Sequence, residues 1–120
     1  MKTVDLYLAG KTYKLCFNLK ALIDICEKYG DIDGLFAALG DSNTATAMLT
    51  FGWLASSLAN AGADYEALFG NDAPHISYEE LIALCDARDF IEIKGAVIKA
   101  ISAEASVKVS TPKNAEAAVE

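Results

Sequence analysis

Between Tyr13 and Tyr29 the apolar residues change their spacing, and the change falls on one residue, Asn18. Before it, Tyr13, Leu15 and Phe17 alternate with Lys14 and Cys16. After it, Leu19, Leu22, Ile23, Cys26 and Tyr29 recur every third or fourth position. A period of two marks a strand with one buried face, and a period near 3.6 marks an amphipathic helix. Asn is a favoured helix N-cap, so the chain is expected to pass from sheet to helix without a linker. Upstream, Val4, Leu6 and Leu8 alternate with Asp5 and Tyr7, so residues 3–17 read as a β-hairpin. Gly at the first position of a Gly10-Lys11 loop allows the positive φ of a type II′ turn. That loop would pair Leu8 with Tyr13, Leu6 with Leu15 and Val4 with Phe17, placing all six on one face. An isolated hairpin is marginal in water, so helices must cover that face.

The rest of the chain supplies them. Gly30 ends the first helix as a left-handed C′ residue. Asp31 or Asp33 opens a short second helix carrying Leu35, Phe36 and Leu39, and Gly40 closes it. A third helix is expected from a cap at Ser42 or Asn43 to about Gly62. Met48, Phe51, Ala55 and Leu58 form its stripe; Leu49, Trp53 and Leu54 widen it; Ala47, Gly52, Ala55 and Ala59 let neighbours approach closely. Residues 63–76 are looser: "ADYEALFGND" can hold one or two helical turns through Tyr65, Leu68 and Phe69, and Gly70, Asn71 and Pro74 mark a loop. "SYEE" at Ser77–Glu80 is a capping box, and "DFIE" offers the same device at Asp89 and Glu92, with a break near Ala87–Asp89. The last helix sets Phe90, Ile93, Val97 and Ile101 on one stripe, with Ile98 beside it. The expected fold is mainly α: a small helical domain of about five to six helices with an N-terminal β-hairpin, an α+β arrangement. One domain spans 1–105, and 106–120, without sustained amphipathic spacing, reads as a flexible C-terminal tail.

Charge is unevenly placed. The net charge is −7. Residues 1–30 carry five Lys against three acids, whereas residues 31–92 carry Arg88 alone against eleven acids. The acidic middle disfavours nucleic acid as a partner. It suits a basic protein partner or head-to-tail self-association through the basic N-terminal end, and otherwise serves as a solvated face that favours solubility. The apolar-leaning run Ala45–Ala63 is broken by Thr46, Thr50, Ser56, Ser57 and Asn60, so it reads as a buried helix rather than a membrane span. The start, "MKTVDLYLAGK", holds no apolar run of signal-peptide length. Cys16, Cys26 and Cys85 are an odd number without a CxxC pair, as expected of reduced thiols in a cytosolic protein.

Catalytic and metal signatures are weak. No His/Cys grouping has zinc spacing, and no Gly-rich loop follows a strand in phosphate-binding form. The sole His, His75, sits near Asp72 and Ser77, but Ser77 is explained as a helix cap. Asp86 with Asp89, and Glu79 with Glu80, fit helix starts better than acid–base pairs. The expectation is therefore no enzyme, no cofactor and no metal. Partner-facing aromatic candidates are Trp53, Tyr65, Phe69 and Tyr78, each of which also suits a core.

The stretch "GKTYKLCFNLKALIDICEKYGDIDGLFAAL" resembles the tail assembly chaperones of long-tailed bacteriophages and prophages. The likeness is carried by Tyr13, Leu15, Phe17, Ala21, Leu22, Glu27, Tyr29 and Gly30, then by "TFGWLASSLANAG" and "SYEELIALCDA". It spans roughly residues 1–105, with a longer loop at 63–76 than is usual in that family. The resemblance implies a non-enzymatic protein of the bacterial host cytoplasm. Such a protein binds the tape measure protein, keeps it soluble and helps recruit tail tube protein. A virion structural role, as a connector or tail-end subunit, is the main alternative; a small ligand-binding domain is a third.

Overall fold

The structure is a computed structural model that describes residues 3–40 and 43–110, with side chains described through Ser102. It is mainly helical, with an N-terminal hairpin of β1 (Val4–Leu8) and β2 (Lys11–Leu15) followed by five helices. These are α1 (Leu19–Tyr29), α2 (Ile32–Leu39), α3 (Thr44–Ala67), α4 (Tyr78–Leu84) and α5 (Ala87–Ser110).

The hairpin turns one residue earlier than the sequence suggests. Ala9 (φ 50°) and Gly10 (φ 81°) both lie in the left-handed region, as a type I′ turn requires. The register is accordingly Val4 with Leu15, Leu6 with Tyr13 and Leu8 with Lys11. This differs by two residues from the expected pairing. Because side chains alternate with a period of two, a slip of two exchanges partners without exchanging faces. Leu6, Leu8, Tyr13 and Leu15 are all buried, while Phe17 lies past the end of β2, partly buried against the core. The type I′ turn matches the twist of the strands, which favours it although Ala must adopt φ > 0.

Asn18 caps α1 as expected, its Oδ1 accepting from the Ala21 N–H (3.0 Å). Gly30, at φ 88°, ends the helix with its N–H bonded to the Cys26 carbonyl. The buried face of α1 is rotated from the expected stripe. Ala21 and Ile25 are buried, whereas Leu19 and Ile23 are exposed. Periodicity sets the width of an apolar stripe; which edge of it is covered depends on where α2 and α3 lie. Asp31 caps α2, accepting from the Gly34 N–H (2.7 Å), and Leu35 is its buried residue.

The central element is α3, which touches β2, α1, α2, α4 and α5. Asn43 caps it, accepting from the Thr46 N–H (3.0 Å); Ser42 lies outside the described residues. The helix runs past Gly62 to Ala67. Gly62 is a packing residue rather than a stop: a Cβ there would collide with the Lys14 carbonyl of β2, and its carbon lies 2.6 Å from that position. Beside this contact the Cys16 N–H donates to the Leu58 carbonyl (3.0 Å), tying the end of β2 to α3. Among the described residues no helix is long and apolar enough to cross a membrane.

The expected loop is therefore shorter. The chain turns through Leu68–Gly70, with Gly70 at φ 80°, and the Asn71 N–H bonds the Glu66 carbonyl. Ser77 then caps α4 in the predicted box. The Glu80 N–H donates to Ser77 Oγ (3.1 Å), and the Ser77 N–H donates to Glu80 Oε1 (3.0 Å). The second box forms three residues upstream of the expected Asp89/Glu92 pair. Asp86 Oδ1 accepts from the Arg88 and Asp89 N–H groups (both 3.0 Å), and Asp89 Oδ2 accepts from the Asp86 N–H (3.0 Å). The break thus falls at Cys85–Asp86. Helix α5 continues beyond residue 106 to Ser110, so the expected tail boundary lies inside it; residues 111–120 lie outside the described residues.

Two substitutions test this geometry by thermal denaturation. Gly62→Ala is expected to cost about 3 kcal/mol, because the obstacle is backbone rather than a movable side chain. In the turn, Ala9→Asn should raise stability by about 0.5–1 kcal/mol and Gly10→Val should lower it by about 1–2 kcal/mol, since the left-handed region tolerates Asn and resists β-branched residues. An unchanged melting temperature for Gly10→Val would contradict the turn assignment.

Candidate functional site

A strongly apolar concavity lies where α3, α4 and α5 meet. Met48, Leu49 and Gly52 of α3 form one wall; Ile82 of α4, its C-cap Cys85, and Ala87 and Phe90 of α5 form the other. Leu81 and Ile93, both buried, make the floor. The volume is about 430 Å³. The walls stay open: Met48 is 41% exposed, Leu49 53% and Ile82 42%. A groove of this kind admits apolar side chains along a partner helix.

Each wall has a local cause. Gly52 brings α4 against α3, since a Cβ there would lie 2.7 Å from Ile82 Cδ1. Phe90 is held edge-on against Phe51, with centroids 6.0 Å apart, and the Lys94 ammonium lies 5.9 Å from the Phe51 ring centre. At the start of α4, Ile76 is clamped to α3. Its N–H donates to Asn60 Oδ1 (2.8 Å), and its carbonyl accepts from Asn60 Nδ2 (3.0 Å) and Ser56 Oγ (2.7 Å). The Asn60 amide thus pairs with both polar groups of one peptide residue, as a neighbouring strand would. The one carboxylate on the groove wall is Asp86. The Cys85 thiol is pushed up from its ordinary pKa, first by burial and then by the Asp89 and Asp86 carboxylates. It is accordingly a protonated, poorly nucleophilic group at neutral pH.

The sequence-derived aromatic candidates do not converge on this groove. Trp53, half-buried, meets the Tyr29 ring edge-on at 5.7 Å, with the Lys28 ammonium 5.2 Å from its ring centre. Tyr65 and Phe69 meet at 5.1 Å at the far end of α3, where Phe69 is exposed. Tyr78 borders the groove from α4, its Cε1 3.7 Å from the position a Gly52 Cβ would occupy. Met48, Leu49, Ile82, Cys85 and Phe90 were not legible as a set, because they come from three helices and their own stripes are ordinary. The signal available was Gly52 amid large apolar residues.

A second, polar cleft holds Trp53, Ser57, Asp64, His75 and Ser77. His75 Nε2 lies 3.0 Å from Asp64 Oδ1, so its partner is Asp64 rather than Asp72. Ser77 Oγ is engaged as the α4 cap. No grouping of three or more potential metal ligands occurs among the described residues. No protein-family model, curated protein or solved structure matches this chain.

Peptide-resolved alkylation tests the groove's electrostatics. Because its pKa is raised, Cys85 should react slowly near pH 8 and accelerate only above the pH at which an ordinary thiol ionises. Asp89→Asn should shift that rise toward lower pH without abolishing it, since burial is the larger cause. Full reactivity of Cys85 at pH 7 would contradict this environment.

Proposed function

We propose that the protein is a tail assembly chaperone of a long-tailed phage or prophage. It acts in the host cytoplasm, covering apolar helix stripes of the tape measure protein, keeping it soluble and helping to recruit tail tube protein. The observation that carries this reading is the open groove, whose large apolar residues are held in place with nothing across them among the described residues. A contiguous exposed apolar surface on a small domain marks an interaction site. The fitting occupant is an amphipathic helix placing apolar side chains at i, i+3, i+4 and i+7 between α3 and α4. Its flanks would be basic, to complement Asp86 on the wall and the acidic run of residues 31–92. Burying the exposed parts of Met48, Leu49 and Ile82 contributes about 1 kcal/mol each. Each site is therefore weak and reversible, as an assembly aid requires, and several copies along one long client gain avidity.

Co-expression with tape measure protein fragments tests the reading. The wild-type chain should raise fragment solubility and co-purify. Leu49→Asp should weaken capture about tenfold or more with the melting temperature nearly unchanged, because Leu49 is exposed. No solubilisation of any fragment by the wild-type chain would refute the proposal. Finding the protein stoichiometrically in purified particles would favour the connector or tail-end alternative instead.

A further inference from the structure

Helix α5 carries a second apolar stripe that neither the core nor the groove uses. Ile91 is 69% exposed and Ile98 46%, and Gly95 lies between them with open space where its Cβ would be. The three sit at i, i+4 and i+7, so they form one seam about 10 Å long. Beside it run Glu92 and Lys99, seven residues apart and thus on the same flank. Among the described side chains neither takes part in an ion pair. Glu92, Gly95, Ala96 and Lys99 also line an open cleft of about 560 Å³ against β1.

We infer that this face is a contact between two copies of the chain, in which α5 packs antiparallel against the partner's α5 about a two-fold axis near Gly95. The argument is one of complementarity. In an antiparallel helix pair, like flanks meet, so a residue below the axis faces a residue above it. Glu92 lies three residues before Gly95 and Lys99 four after it. Antiparallel pairing about that point sets Glu92 of one copy opposite Lys99 of the partner subunit, and the two-fold repeats the pair. Parallel pairing would instead turn this flank toward the opposite flank of the partner helix and leave Glu92 and Lys99 without each other. At the axis, Gly95 lets the backbones approach closely. Ile91 and Ile98 then lose their exposure on both copies. The seam is short, so the interface is small and its dissociation constant falls in roughly the micromolar range. This inference does not depend on the groove's occupant, since the seam occupies a different face of α5.

Sedimentation equilibrium of the full chain from about 5 to 500 µM reads the affinity directly. The wild-type chain should show a monomer–dimer equilibrium. Glu92→Lys and Lys99→Glu should each weaken it about tenfold or more, because each turns two attractive pairs into two repulsive ones. Mixing the two variants in equal amounts should restore association, since the heterodimer opposes unlike charges at both pairs. Gly95→Gln should abolish the dimer while leaving or raising the monomer's melting temperature, as the site is open and Gly is a poor helix former. A single monomeric species throughout the range, failure of the mixture to associate, or undiminished dimerisation of Gly95→Gln would each overturn the inference.

Discussion

The molecule is organised around the seat of α3 on β2. At Gly62 the helix lies directly on the Lys14 carbonyl, and at Leu58 its own carbonyl receives the Cys16 N–H. Both contacts are backbone contacts, so they fix the distance and rotation of the helix more tightly than side-chain packing would. From that seat the remaining placements follow. The buried face of the hairpin is roofed by α3 and α5, and the end of β2 is aimed so that Asn18 can cap α1 two residues after Cys16. With α1 fixed, the tight Gly30–Asp31 junction folds α2 back against α1 and the flank of α3.

The same helix positions the groove by a different device. On the opposite face of the same stretch, Ser56 and Asn60 hold the backbone of Ile76, which sets where α4 begins. Gly52 then decides how closely α4 lies. The Asp86–Asp89 box reverses the chain into α5 without a loop, so Phe90 arrives beside Phe51. The groove is therefore built from short-range constraints at its ends, while its walls remain unburied. Such a surface is preorganised for a partner at small entropic cost on binding.

Two faces of α5 thus have separate uses. Phe90 and Ile93 belong to the groove, whereas Ile91, Gly95 and Ile98 form the self-complementary seam. A dimer built on that seam carries two grooves, and a client with repeated apolar stripes gains from engaging both. Association through weak, symmetric and partly charged contacts stays responsive to concentration, which suits the reversible client binding proposed above.

Much of the fold was legible in sequence because its signals are local. Asn18, Asp31, Asn43 and Ser77 act as caps through side chains that bond backbone amides three residues on, and alternation named the buried face of each strand. Where the reading failed, two local solutions were equivalent. Gly10 serves a type I′ turn with Ala9 as well as a type II′ turn with Lys11, and a two-residue slip leaves the faces intact. Gly62 and Asp89 carry the residue types of a helix stop and a helix start, yet one is a helix–strand contact and the other the third helical residue of a box begun at Asp86. The sequence by itself determined the order of the elements, most of their caps and the buried face of each strand, since those depend on neighbours a few positions away. Only the tertiary structure decided which apolar residues stay uncovered. Exposure of Leu49, Ile82 or Ile91 depends on which elements pack beside them, and no periodicity within one helix records that.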